Sequence, residues 1–319
     1  MSGAEKYIGG IDLGGTKIAA IVSTEEGKIL AKDKVSTPNG KFSVIAATMV
    51  QSLTRVCDIA SVSIEDLHAI GVGVPGSVDE QGNVAVMPNL GLKNIAVASV
   101  LSEVFDKPVA VENDVNLATL AEYFLGAGEG LNSLYGIVPG TGVGGGYVAN
   151  GKIVRGKNGT AGEIGHMVVK MDGTRCGCGQ KGCLEAFVSK IGFAQELRGA
   201  VLRGEDSVLM KHKDNDFKTV NSPALRSAWD AGDKLTRQLL VEQARILGIA
   251  VANVVNLTGV EGFFIGGGVY EILGNVLLPI IWETAERHAI GGGMSGVRLA
   301  LSGLGGDAVA MGAALLARK

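Results

Sequence analysis

The sequence predicts an α/β fold of two similar lobes with a ligand cleft between them. Three observations carry this prediction. The first third of the chain alternates short β-rich runs and amphipathic segments in the order βββαβαβ. A second strand meander begins near Leu134, as though the order started again. Glycine-rich turns stand at strand ends in both halves. Such turns let bare backbone approach a ligand, and clefts between lobes are where ligands bind.

The elements follow in order. Tyr7–Leu13, Ile18–Ser23 and Lys28–Val35 are apolar, β-rich runs separated by Gly14-Gly15 and by Glu25-Glu26-Gly27, so they read as an antiparallel meander. Phe42, Ile45, Met49, Leu53 and Val56 recur at helical spacing. Ala69–Val74 is a strand stopped by Pro75-Gly76. Val97, Val100, Leu101 and Val104 mark a helix, Pro108–Glu112 a strand, and Leu117, Leu120 and Phe124 the next helix. The second meander, Leu134–Val138, Gly145–Ala149 and Lys152–Val154, surrounds Gly140-Thr141-Gly142. Its Gly140-Thr141-Gly142 falls where Gly14-Gly15-Thr16 falls in the first, and Gly151-Lys152-Ile153 matches Gly27-Lys28-Ile29, a hint of duplication. A long helix carries Leu240 to Val254, Gly262–Ile265 is a strand, Ile272–His288 a helix and Val297–Leu301 a strand. Asp307 is placed to cap a last helix with Val309, Gly312, Ala313 and Leu316 on one face. The expected division is a small N-terminal lobe over residues 1–114, a large lobe over 115–302, and a C-terminal helix, 303–319, returning to the small lobe.

Composition bounds the function. Of 319 residues 46% are apolar and 19% charged, which excludes disorder; the net charge of −3 argues against a nucleic-acid partner. The 49 glycines follow no triplet repeat, which excludes collagen. MSGAEKYIGG has no apolar signal core. The longest apolar stretch, Ile246 to Val269, is broken by Asn253, Asn256 and Glu261 and reads as a buried helix and strand, not a membrane span. Four cysteines, three of them clustered, point to metal in a reducing cytoplasm.

Asp12-Leu-Gly14-Gly15-Thr16-Lys17 sits at the first hairpin tip. Gly-Gly amides, the Thr16 hydroxyl and the Lys17 charge suit a phosphate, and Asp12 suits Mg²⁺ held through water; an ordinary tight hairpin is the alternative. It is neither a Walker A loop nor a Rossmann fingerprint. Thr141-Gly142 forms a second such turn, and Gly266-Gly267-Gly268 leaves bare backbone for an adenine or ribose. Asp114, at a strand-to-helix junction, is either a helix N-cap or a carboxylate that takes a proton from a substrate hydroxyl attacking phosphorus; Asn113 can hold a neighbouring hydroxyl. His166, Cys176, Cys178 and Cys183 supply one imidazole and three thiolates within 18 residues, a closed tetrahedral and therefore structural Zn²⁺ site. Such a site would fix a loop carrying Glu163, His166 and Glu185, whose polar groups can hydrogen-bond a polyol. Cys57 reads as packing, and His68, His212 and His288 have no partner visible in the sequence.

Ala161-Gly-Glu163-Ile-Gly-His166, with Cys176-Gly-Cys178-Gly-Gln-Lys-Gly-Cys183-Leu-Glu185, resembles the signature of the ROK family (repressors, open reading frames and sugar kinases). Asp12–Lys17, Glu112–Asn116, Gly140–Gly146 and Gly266–Gly268 match its other motifs in order, and the resemblance, strongest to the family's bacterial glucokinases, covers nearly the whole chain. It implies an actin-like, ribonuclease-H-like pair of lobes and ATP-dependent phosphorylation of a hexose 6-hydroxyl, glucose first, with mannose, fructose, N-acetylmannosamine or N-acetylglucosamine as alternatives. By resemblance Asp114 is the general base. Asn113, Glu163, His166 and Glu185, with Gly76 and Asn89 nearby, hold the sugar, and His166 serves both zinc and sugar. Asp12, Gly14, Gly15, Thr16 and Lys17 face the phosphates and Mg²⁺, Thr141 and Gly142 bind phosphate, and Gly267 and Gly268 lie near adenosine. A homodimer or homotetramer is implied. The family's repressors carry a helix-turn-helix before the first glycine turn, and the few residues before Tyr7 leave no room for one, so a DNA-binding regulator is not expected. Leu92 departs from the aromatic residue that family glucokinases often place there.

Overall fold

Most residues of the first two N-terminal runs are apolar and shielded from water, and the third, an edge strand, alternates with charged residues that face water. In a computed structural model that describes residues 6–211 and 220–318, β1 (Tyr7–Leu13), β2 (Lys17–Thr24) and β3 (Ile29–Ser36) form the expected meander, with Leu13 opposite Ile18 and Ile18 opposite Val35. Helix α1 (Phe42–Ala60) buries Phe42, Ile45, Met49, Leu53 and Val56, the stripe its spacing predicts. Strand β4 (Leu67–Val74) runs parallel to β1. A hairpin of β5 (Asn83–Met87) and β6 (Leu92–Ala96) follows, then α2 (Val97–Phe105), β7 (Val109–Asn113) parallel to β4, and α3 (Asp114–Leu125). The sheet order is β3-β2-β1-β4-β7.

The second set is β8 (Ser133–Pro139), β9 (Val143–Ala149), β10 (Lys152–Ile153), α4 (Glu185–Val188), α5 (Lys190–Leu202), α6 (Ser222–Asp230), α7 (Lys234–Thr258), β11 (Gly262–Ile265), α8 (Gly268–His288), β12 (Arg298–Leu301) and α9 (Ala308–Ala317). Its sheet order, β10-β9-β8-β11-β12, repeats the first strand for strand. The weak alignment of the two meanders thus has a structural counterpart.

The chain divides into two compact units. The first comprises the chain up to Gly130, Gly146–Ala161, and everything from Gly306; the second comprises Leu131–Gly145 and Gly162–Gly305. The first unit therefore runs past the expected limit at residue 114 and takes in α3, the end of β9 and β10. Backbone contact explains this. A Cβ at Gly312 in α9 would collide with the Leu117 carbonyl oxygen of α3, and Cβ atoms at Gly10 and Gly71 would collide with the carbonyl oxygens of Ala310 and Ala313. Helices α3 and α9 thus close the same side of the first sheet.

Asp307 does not cap α9; its carboxylate pairs with Lys32 and with Lys34 (3.5 Å) instead. The stretch Ile246 to Val269 is helix and strand, as expected, with Gly259 ending α7 in the left-handed conformation (φ 62°). Helices α1 and α7 are long and apolar enough to cross a membrane by length and composition, and about half of each apolar window is buried within the fold.

Candidate active site

In the first unit, β7 passes into α3 without a loop. Asn113 is the N-cap: its Oδ1 accepts from the amides of Val115 (2.9 Å) and Asn116 (3.1 Å), and its Nδ2 donates to the Gly76 carbonyl oxygen (3.2 Å). Asp114 is the first residue of α3, and its Oδ1 accepts from the Val115 amide (2.9 Å). The capping role falls to Asn113, so the N-cap alternative for Asp114 is not realised. The Asp114 carboxylate sits half-buried at the positive end of the helix dipole. Asn113 keeps one amide hydrogen for a ligand.

The first glycine turn closes by the Gly14 amide donating to the Lys17 carbonyl oxygen (2.9 Å). Thr37, which the sequence did not single out, fastens it: its hydroxyl donates to the Gly14 carbonyl oxygen (2.8 Å) and its amide to that of Thr16 (3.0 Å). Here glycine is required by proximity. A Cβ at Gly15 would stand 2.9 Å from the Asn89 Cβ, so Asn89 lies against this turn. At Gly76 the backbone itself requires glycine (φ 148°), and the Val86 carbonyl oxygen would be 2.5 Å from a Cβ. The Thr16 and Lys17 side chains are exposed.

Asp12 is the penultimate residue of β1 and is part-buried. Burial first, then the negative charge of Asp114, push its carboxyl up to about 7, against the lowering pull of Lys34. A buried carboxylate beside a second negative charge suits a divalent cation held through water, so Asp12 fits Mg²⁺. The raised value has a pH consequence. Its stabilising effect is full below the ordinary value of 3.8 and is lost as pH rises through about 7, where the buried carboxyl must ionise. Asp12→Asn is therefore expected to melt higher than the parent at about pH 8 without metal, higher by less at about pH 5, and to match it only below the ordinary value of 3.8, and Mg²⁺ should raise the melting temperature of the parent alone.

In the second unit, the Gly140 amide donates to the Gly142 carbonyl oxygen (2.8 Å) and the Lys190 amide to that of Gly140 (2.9 Å); Thr141 is exposed between them. Glu185 opens α4. Its Oε2 accepts from the Val143 amide (2.9 Å), its Oε1 accepts from the Cys176 thiol (3.3 Å), and a Cβ at Gly142 would collide with Oε2. Glu185, two residues after Cys183, thus joins the end of the cysteine loop to the second glycine turn. Glu163 and His166 are exposed side by side at a short helical turn. Just before them, the Tyr135 hydroxyl donates to the Gly162 carbonyl oxygen (3.0 Å), and burial with the Glu163 charge pushes that hydroxyl's pKa up.

The His166 Nδ1 lies 3.8 Å from the Cys176 Sγ, the Cys178 and Cys183 Sγ atoms are 3.7 Å apart, and all four donor atoms lie within 4.8 Å of one another. Thiolates on a tetrahedral zinc with bonds of about 2.3 Å stand roughly 3.8 Å apart, so the spacing fits that ion.

Gly267 (φ 88°) precedes α8, and a Cβ there would collide with the Pro139 carbonyl oxygen. Beside Gly268, a Cβ would be 2.9 Å from the Ser222 Oγ and 3.8 Å from the Lys190 Nζ. The Ser222 Oγ is buried and has no hydrogen-bond partner among the described residues. A bare backbone cradle beside an orphaned hydroxyl fits the nucleoside end of ATP.

Residues separated by long stretches of chain escaped the sequence reading: Thr37, Ser222, and Arg155, which pairs with Glu112. Of the unassigned histidines, the ring of His288 bonds the Thr284 carbonyl oxygen (2.8 Å), His68 is exposed, and His212 lies outside the described residues.

The chain is 34% identical to a glucokinase of Halalkalibacterium halodurans, over 99% of this chain and 96% of that one. Its structure resembles a ROK hexokinase from Thermus thermophilus (32% identity, TM-score 0.84, covering 98% and 97% of the two chains). It also resembles a ROK family glucokinase from Streptomyces griseus, solved in complex with glucose and AMPPNP (33% identity, TM-score 0.81, 98% and 99%). The α/β fold is accordingly the actin-like fold of these kinases. With its two repeated sheets, its glycine turns and the ROK profile matched over residues 8–319, this chain belongs to the ROK family.

Proposed function

We propose that this protein is an ATP-dependent hexokinase that phosphorylates the 6-hydroxyl of glucose in the cytoplasm. The observation that carries the reading is the Asp114 carboxylate at the first turn of α3, relieved of capping by Asn113 and close enough to Asp12 to raise its pKa. The glucokinase relatives and the glucose–AMPPNP complex of the Streptomyces griseus protein support the substrate pair.

In this mechanism Asp114 accepts the proton of the sugar 6-hydroxyl as that oxygen attacks the γ-phosphorus. The amides of the Gly14-Gly15 and Thr141-Gly142 turns and the Lys17 ammonium offset charge on the transferring phosphoryl. Gly267, Gly268 and Ser222 receive the nucleoside. Asn113, Glu163, His166 and Glu185 orient the sugar hydroxyls, with Gly76 and Asn89 beside them, and Glu185 also accepts from the Val143 amide at the second glycine turn. Asp12 would hold Mg²⁺, which neutralises phosphate charge. His166, Cys176, Cys178 and Cys183 would hold a structural Zn²⁺ that keeps Glu163 and Glu185 in place. The free cysteines suit a reducing compartment.

A coupled ADP-release assay over a hexose panel tests this reading. Glucose with Mg²⁺ is expected to give the highest kcat/KM, with background rates when either is omitted. Preference for an N-acetylhexosamine, or ADP release that ignores sugar, would contradict it.

A further inference from the structure

We propose that Glu112 and Arg155 are a positioning pair: together they fix the turn that carries Asp114, and turnover depends on them beyond their worth to stability. The inference rests on the reading of Asp114 as the general base.

Glu112 is the most buried residue of β7, 2% exposed, in a strand whose preceding residues, Val109, Ala110 and Val111, are apolar. It shares a sheet row with Asp12 through Gly73. Its carboxylate grips the Asp114 turn from both sides. Oε1 accepts from the Asn113 amide (2.9 Å), just before Asp114, and from the Asn116 Nδ2 (3.1 Å), in the first turn of α3. Oε2 accepts from the Arg155 Nε at 2.6 Å, in a pair where Arg155 is 41% exposed. Arg155 is in turn fixed by its own loop: its carbonyl oxygen accepts from the Ala161 amide (3.0 Å), and Gly159 lies so close to the Val78 carbonyl oxygen that a Cβ would stand 2.9 Å away. That segment continues along the chain directly into Gly162 and Glu163.

An ion pair with one buried partner is seldom worth more to stability than apolar residues of the same volume. Here the side-chain contacts of the pair bear on the backbone around one carboxylate, and Arg155 belongs to the segment leading to Glu163. Small displacement of a reacting group is costly: about 1 Å can lower a rate about 100-fold.

The test compares Glu112→Gln, Arg155→Met, Arg155→Lys and the double variant Glu112→Gln/Arg155→Met in the coupled hexose assay, with melting temperatures measured in parallel. The single variants Glu112→Gln and Arg155→Met are expected to lose about 10- to 100-fold in kcat with KM for Mg-ATP within about twofold. Arg155→Lys, which keeps the charge, is expected to regain part of that loss. The double variant leaves no unpaired buried charge, so its melting temperature should recover while its kcat stays low. A double variant that recovers both would reduce the pair to a structural role and overturn the proposal, as would single variants that melt lower at unchanged kcat per folded molecule. Wild-type and Asp114→Asn controls separate the two readings. A wild type inert on every hexose contradicts the kinase reading, whereas an active wild type beside a fully active double variant contradicts only the pair.

Discussion

Replacing Asp114 by Asn is expected to lower kcat by about 10²- to 10⁴-fold, the range for loss of a general base, while KM for hexose and for Mg-ATP stays nearly constant. The geometry explains the selectivity. Asparagine has the same shape and still offers an oxygen to the Val115 amide, the bond that Asp114 makes through Oδ1. The cap of α3 belongs to Asn113, so the helix start does not depend on the carboxylate. What disappears is the proton acceptor and one negative charge. The charge matters in a second way, because Asp114 is one cause of the raised Asp12 pKa. With Asp114 neutral, Asp12 ionises more easily, and the metal-free variant should melt at or above the parent temperature at neutral pH. Kinetics and melting curves on one preparation check both effects. A variant with near-parental kcat would remove Asp114 from the chemistry.

Cys183→Ser, or exhaustive chelation, is expected to have the next largest effect. Cys183 is fully buried and packs with Cys176, Ala186 and Phe187 in a small core of its own. Loops of this kind draw their order from the ion. Loss of zinc should therefore lower the melting temperature by about 10 °C or more. It should also loosen the cysteine loop that leads two residues on into Glu185, whose Oε2 accepts from the Val143 amide, so the second glycine turn loosens and turnover falls more than about tenfold. Metal analysis should find one zinc per parental chain and none in the variant. A metal-free protein with parental stability and rate would show that the four side chains pack without an ion.

Much of this could be read from the sequence, for physical reasons. Strands β1 to β3 and helix α1 follow from local periodicity, and α1 buries the five residues that its spacing selects. The cysteine–histidine cluster is legible because all four donors lie in one short loop. The repeated sheet was visible only as a faint alignment, since topology survives when side chains do not. The hairpin β5–β6 went unread because its alternation is short and Val86 faces water (44% exposed). The first unit takes in α3 beyond the expected limit at residue 114 because Gly312 approaches Leu117, some two hundred residues away, which local pattern does not show. Asp114 was ambiguous for a related reason: a string of residues does not say whether Asn113 or Asp114 caps the helix, and the backbone does. Arg155 and Ser222 act through partners far along the chain, where a single sequence has no voice.

The central claim is that the γ-phosphoryl of ATP moves to the 6-oxygen of a hexose. Phosphorus NMR of the product formed from ATP, Mg²⁺ and glucose tests this most directly, beside a parallel reaction with 6-deoxyglucose. The account predicts a single sugar phosphate with phosphorus on oxygen 6 and no product from the deoxy sugar. Phosphate on another oxygen, or ADP formed equally fast with the deoxy sugar, would contradict it.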